Sequence, residues 1–270
     1  MLINGSSGES ISAFDRGLQY GDGLFETIAV ADMRPCLWKR HYQRLQTGGE
    51  RLGIPIPEPA TLFNEIEHEI GSNRKGVIKV IVTRGEGNRG YRVDQSAATT
   101  RIVHFSPWPN YPDTAWISGV AVRVCTTRLG YNPILAGIKH LNRLEQVMAR
   151  REWDDIGISE GLMLDVDGHV IEGIMTNLFM FENGMVHTPD LSACGVAGVM
   201  RGLVLDVAEE LGIEVNIRQI TLPELLQADS LFLTNSLIGT WPICEIDGRR
   251  FTLDYINQNL ISEVTNRAYV

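Results

Sequence analysis

A chain of 270 residues with 44% hydrophobic content has material for one large core or two modest ones. Its formal net charge of -9 argues against nucleic acid as the main partner and leaves any anionic substrate to local arginines. No apolar run is long enough to cross a membrane and no secretory pattern opens the sequence, so a cytoplasmic protein is expected.

Cys36, Cys125, Cys194 and Cys244 are scattered without a C-x-x-C, which suits reduced, buried thiols. No pair of histidines has H-x-x-x-H spacing, so no protein-built metal site is expected.

Leu2 and Ile3 run into Asn4-Gly5, a hairpin signal. Asp15 to Gly23 reads as a glycine-rich loop, and Leu24 to Val30 as a buried strand with Glu26 and Thr27 on opposite faces. A helix is predicted from about Trp38 to Leu52. It carries Arg44 beside His41 and Leu45, a rigid guanidinium suited to a phosphate dianion, or else an ordinary exposed arginine. A second helix follows from about Ala60 to Ile70.

The strand Gly76 to Arg84 enters Gly85-Glu86-Gly87-Asn88-Arg89-Gly90, a match to G-x-G-x-x-G. No helical pattern follows it; Ile102 to Phe105 is another strand, so the dinucleotide reading is rejected. Arg84, Arg89 and Arg92 in this loop are candidates for substrate carboxylates, or a solvated basic tip. The proline-dense stretch Ser106 to Asp113 reads as a linker. The predicted domains are residues 1–108 and 115–270, joined by 109–114.

Past a strand at Val120 to Val124 comes Ala136 to Arg150. Leu141, Leu144 and Met148 recur at helical spacing, so an amphipathic helix is predicted from about Leu141. Lys139 would stand just before its first turn, where the helix dipole and partial burial disfavour an ammonium. The other lysines, Lys39, Lys75 and Lys79, have basic, turn or strand settings. Lys139 is therefore the candidate nucleophile or base, against the plainer reading of a solvated lysine.

Gly157 to Gly161 matches G-x-S-x-G but runs into a strand, the wrong order for a nucleophile elbow. The return strand of a hairpin at Asp165 to Ile171 delivers Glu172 among apolar residues, a costly place for a carboxylate without a cation. No lysine or arginine lies in the strands around it. Gly195 to Gly202 opens a helix with body Leu203 to Leu211, a candidate anion site through the N–H groups after Gly198. Asp229 to Ile243 reads as a strand and a small-residue turn, in which Asn235 and Ser236 are placed to complete that site.

A nucleophilic lysine, a buried carboxylate, an arginine and a glycine-rich helix start are together what pyridoxal 5′-phosphate needs. The residues Asp15-Arg16-Gly17, Tyr20 to Glu26, Lys139, Glu172 with Thr176-Asn177-Leu178-Phe179, and Gly195 to Arg201 resemble the fold-type IV pyridoxal-phosphate enzymes. Lys139 to Gln146, Arg84 with Arg89-Gly90-Tyr91, and Thr234 to Pro242 resemble the 4-amino-4-deoxychorismate lyase branch most.

The resemblance implies an α+β fold with a small α/β N-terminal domain, a larger pseudo-barrel C-terminal domain, and a homodimer. It implies conversion of 4-amino-4-deoxychorismate to 4-aminobenzoate and pyruvate in folate synthesis. Lys139 would carry the cofactor and move the proton, with Thr27 as a helper. Arg44, Val199, Met200 and Ser236 would hold the phosphate, and Glu172, with Asn177 and Gly198 nearby, the ring. Arg84, Arg89, Tyr91 and Asn235 would meet the substrate. An aminotransferase of the same fold and a non-catalytic anion-binding protein remain the alternatives.

Overall fold

In a computed structural model, which describes residues 1–94 and 97–269, the chain forms two compact units. The first contains Met1–Pro109 with Ile138–Asn142 and Tyr269; the second contains Asn110–Gly137 and Arg143–Ala268. The chain thus leaves the second unit for five residues around Lys139 and returns to it.

The first unit runs β1 (Leu2–Ile3), β2 (Ser6–Ser7), α1 (Arg16–Tyr20), β3 (Gly23–Ala31), β4 (Arg34–Pro35), α2 (Trp38–Leu52), α3 (Pro59–Ile70), β5 (Lys75–Thr83) and β6 (Thr100–Ser106). Among the described residues its strands form an antiparallel sheet in the order β2-β1-β6-β5-β3-β4. Alternation along β3 sends Leu24, Ile28 and Val30 into a core with Leu45 of α2 and Leu62, Ile66 and Ile70 of α3. Glu26 shares that inward face and is 1% exposed, while Phe25 and Thr27 face the other way, half-buried.

Residues 15–23 differ from the expected loop, because α1 forms there. Asp15 caps it by accepting the Gly17 amide at 2.8 Å, and Gly21 ends it at φ 65°, a left-handed conformation that glycine adopts without strain.

The second unit runs α4 (Thr114–Ile117), β7 (Val120–Leu129), α5 (Leu144–Arg150), β8 (Ile158–Asp165), β9 (Val170–Gly173), β10 (Asn177–Glu182), β11 (Met185–Pro189), α6 (Val199–Glu210), β12 (Val215–Arg218), α7 (Leu222–Leu225), β13 (Ser230–Asn235), β14 (Gly239–Ile246), β15 (Arg249–Arg250) and α8 (Gln258–Ala268). Among the described residues its strands make a mixed sheet in the order β12-β11-β10-β13-β14-β7-β8-β9, with β15 beside β14. Although β9 ends that order, it lies against β10 and β11, so the sheet curls toward closure. Leu162, Leu164, Leu178, Met180, Leu231, Leu233, Trp241 and Ile243 fill its core. Helix α8 packs on α6 and was not anticipated in the sequence.

Candidate active site

Lys139 is held by backbone pairing. The Phe25 amide donates to the Lys139 carbonyl at 3.1 Å and the Leu141 amide to the Gly23 carbonyl at 2.9 Å, so residues 139–141 lie along the edge of β3. Ile138 is buried in the core of the first unit, and the half-buried Lys139 places its Nζ 4.4 Å from the centre of the Phe25 ring. This placement differs from the expected helix entry. Helix α5 begins only at Leu144, because residues 139–141 are committed to β3. Burial beside β3, not a helix dipole, makes the environment of Lys139 special.

Arg44 is one turn beyond His41 on α2, and both face Glu26. Arg44 Nε donates to Glu26 Oε1 at 2.8 Å, an Arg44 terminal nitrogen contacts Oε2, and His41 Nδ1 lies 2.6 Å from Oε2. Burial alone would push the Glu26 carboxyl up. The charge of Arg44 and the hydrogen bonds from His41 and Arg44 outweigh it and hold the carboxyl down at about 2. Burial lowers the basicity of His41; the Glu26 bond and charge oppose that shift, while Arg44 and Lys139 reinforce it. Thr27 lies on the opposite face of β3, across from Lys79 of β5.

Of the loop candidates, Arg84 is tied to the protein. Its guanidinium donates to Asp22 at 2.8 and 3.0 Å, to the Gly53 carbonyl at 2.6 Å and to the Leu52 carbonyl at 2.8 Å. These contacts tie the Arg84 guanidinium to the loop ends at Asp22 and Gly53. Arg89 is exposed, and Tyr91 is 86% exposed with its ring 5.6 Å from that of Tyr20. Arg16 anchors this tip through the Gly90 carbonyl at 2.9 Å.

In the second unit, Glu172 is the penultimate residue of β9 and is 4% exposed. Its Oε2 accepts the Val196 amide at 2.8 Å, and Asn177 Nδ2 lies 3.5 Å away while donating to the Val196 carbonyl at 2.9 Å. No lysine or arginine lies in the strands around Glu172. Its field in fact reaches Arg143 and Arg201, which arrive from outside the neighbouring strands.

Gly198 precedes α6 without a side-chain cap, leaving Val199 and Met200 in its first turn. A Cβ on Gly198 would collide with Asn177 Oδ1. Asn235 uses its Oδ1 on the Leu237 and Ile238 amides at 2.8 and 2.9 Å and its Nδ2 on the Met175 carbonyl at 3.1 Å, so it organises the turn that presents Ser236. The second unit holds a glycine-lined helix start beside a pinned carboxylate, and the first an amine and a guanidinium; each set has chemistry that suits pyridoxal 5′-phosphate.

Glu160 was missed because it lies inside the rejected G-x-S-x-G. It is 1% exposed on β8 and accepts from the Gly161 and Met175 amides and the Thr176 hydroxyl. Its only signal in the sequence was a carboxylate in an apolar strand.

All four cysteines are free, and burial pushes the Cys125 and Cys194 thiols up to about 12, which leaves them unreactive. Among the described residues no helix is long and apolar enough to cross a membrane, and no group of acidic, His and Cys side chains has a metal-binding arrangement.

Residues 23–246 match the model of the amino-transferase class IV family, and the chain belongs to that family. It is similar to the 4-amino-4-deoxychorismate lyase of Pseudomonas aeruginosa, with 45% identity, 98% of each chain covered and a TM-score of 0.94. It is 37% identical to the aminodeoxychorismate lyase of Vibrio harveyi over 94% of this chain and 93% of that one. The branched-chain amino acid aminotransferase of Escherichia coli has the same fold, with a TM-score of 0.82 and 26% identity over 93% of this chain and 87% of that one.

Proposed function

We propose that this chain is a pyridoxal-phosphate-dependent lyase that converts 4-amino-4-deoxychorismate to 4-aminobenzoate and pyruvate for folate biosynthesis. The observation that carries the reading is the similarity to the Pseudomonas lyase along nearly the entire length of both chains. When bound, pyridoxal 5′-phosphate supplies an electron sink for the charge left when a substrate carbon loses its proton.

In this reading the Lys139 amine would hold the cofactor aldehyde and, as a free amine, would take the proton from the amine-bearing carbon and give one to the enolpyruvyl methylene, so that the ring carbon–oxygen bond breaks, pyruvate leaves and the ring becomes aromatic. Backbone pairing to β3 fixes the strand segment from which this amine projects. Arg44, the Val199 and Met200 amides and Ser236 would hold the phosphate. Glu172, braced by the Val196 amide, would keep the ring nitrogen protonated, and Asn177 fixes the loop that braces it. Arg84, Arg89, Tyr91 and Asn235 would meet the substrate. Thr27 assists near the aldehyde carbon.

The protein acts as a cytoplasmic homodimer in this reading. Helix α5 supports the dimer: it buries Gln146 and Ala149 while Leu144, Val147 and Met148 are 71%, 53% and 46% exposed. Leu144 and Met148 of the predicted apolar stripe therefore face out.

The similarity to branched-chain aminotransferases favours transamination as the second reading. Product analysis separates the two. Pyruvate and 4-aminobenzoate released without a 2-oxo acid support the lyase; amine transfer that requires a 2-oxo acid supports the aminotransferase.

A further inference from the structure

We infer that Glu26, steadied by His41, is a positioning residue that presets Arg44 for the cofactor phosphate; this rests on the pyridoxal-phosphate reading. The argument begins with what an arginine on a helix lacks. Its side chain has four rotatable bonds, and ordering it on ligand binding costs free energy that a preset arginine has already lost on folding. Glu26 removes that freedom. Its Oε1 takes Arg44 Nε at 2.8 Å and its Oε2 a terminal nitrogen, a two-point grip that fixes the guanidinium plane. His41 in turn holds Oε2 at 2.6 Å.

The arrangement is built into the fold. Glu26 is on the core side of β3, and His41 and Arg44 are three residues apart on the helix face that covers it. All three are on the same unit as Lys139, whose charge is felt by His41. His41 Nε2 is buried without a hydrogen-bond partner. A neutral imidazole that donates from Nδ1 to Glu26 accounts for this, because Nε2 then carries only a lone pair.

A carboxylate beside a phosphate-binding arginine opposes the anion at long range. Its retention in the core is explained if orienting Arg44 outweighs that repulsion. A merely structural ion pair would influence binding of every ligand alike. A preset phosphate arginine influences only ligands that carry the phosphate.

The test compares pyridoxal 5′-phosphate with pyridoxal, each titrated into the full-length chain freed of cofactor, with folding checked by circular dichroism. Glu26→Gln should weaken pyridoxal 5′-phosphate by about tenfold, the scale of one hydrogen bond to a charged group, and leave pyridoxal nearly unchanged. His41→Leu should give the same phosphate-specific loss at smaller size, and His41→Asn, which keeps a donor, should restore it; this pair decides the matter if Glu26→Gln does not fold. Equal losses for both ligands, or none, overturn the assignment of Glu26 while the cofactor reading stands. A parent protein that binds neither ligand overturns both.

Discussion

Thr176 donates its hydroxyl to Glu160 at 3.1 Å, and the Met175 amide reaches the same carboxyl oxygen at 3.2 Å. Together they tie the turn between β9 and β10 to β8, directly after Glu172. Burial pushes the Glu160 carboxyl up to about 7, against the hydrogen bonds from Gly161, Met175 and Thr176. The unfolded chain ionises this group near 4.5, so between those values the folded state binds more protons. Stability therefore falls as pH rises through that window, with the loss complete above about 7. Its size is roughly 3 kcal/mol. Glu160→Gln cannot titrate, so from about pH 4 to about pH 8 its stability should gain on that of the parent by roughly that amount. Urea unfolding across the range checks this, and parallel curves would refute it.

Lys139→Ala should abolish the covalent link to pyridoxal 5′-phosphate. Borohydride treatment of the parent followed by peptide mapping should place the trapped cofactor on Lys139. A trapped adduct on Lys39, Lys75 or Lys79 would remove Lys139 from its role. Lys79 is the informative control, because its Nζ is 5.3 Å from the same Phe25 ring.

Periodic segments were legible in the sequence because their signal is local. The apolar run Leu24 to Val30 marked β3, and the helix predicted over Trp38 to Leu52 coincides with α2. The glycine-rich opening of α6 was legible for the same reason. Helix α1 was not, because five residues among glycines carry no periodicity and their cap depends on Asp15. The apolar stripe of α5 was legible, but periodicity says that a face is apolar, not what covers it. The partners of Glu26 are 15 and 18 positions away, and the arginines around Glu172 come from separate elements. Such pairings are set by tertiary packing, which spacing does not encode.

If α5 faces a second copy, charge on its exposed stripe should split the dimer. Burying a large apolar side chain contributes about 1.5–3 kcal/mol, and a two-fold interface counts each position twice. Leu144→Glu with Val147→Glu should therefore move the protein from dimer to monomer in light scattering. The helix core residues Gln146 and Ala149 stay untouched, so secondary structure should persist. A variant that keeps the parent's dimeric mass would show that the stripe has another purpose.

Glu172→Gln isolates charge from shape. The glutamine keeps an oxygen to accept the Val196 amide, which Glu172 accepts at 2.8 Å, so the loop at Gly195 to Gly198 should hold its form. What is lost is the negative charge that favours a protonated ring nitrogen. Without that proton the cofactor is a poorer electron sink, and the step in which Lys139 takes the substrate proton should slow. Cofactor affinity depends mainly on the phosphate contacts and the Lys139 link, so the variant should still turn yellow. Turnover should fall by about tenfold or more while cofactor binding changes little, the pattern of an interaction used chiefly in the transition state. Steady-state rates beside a cofactor titration make the comparison. Turnover within a few-fold of the parent would leave Glu172 as a strand-end residue that braces Val196, with the ring nitrogen served by another group.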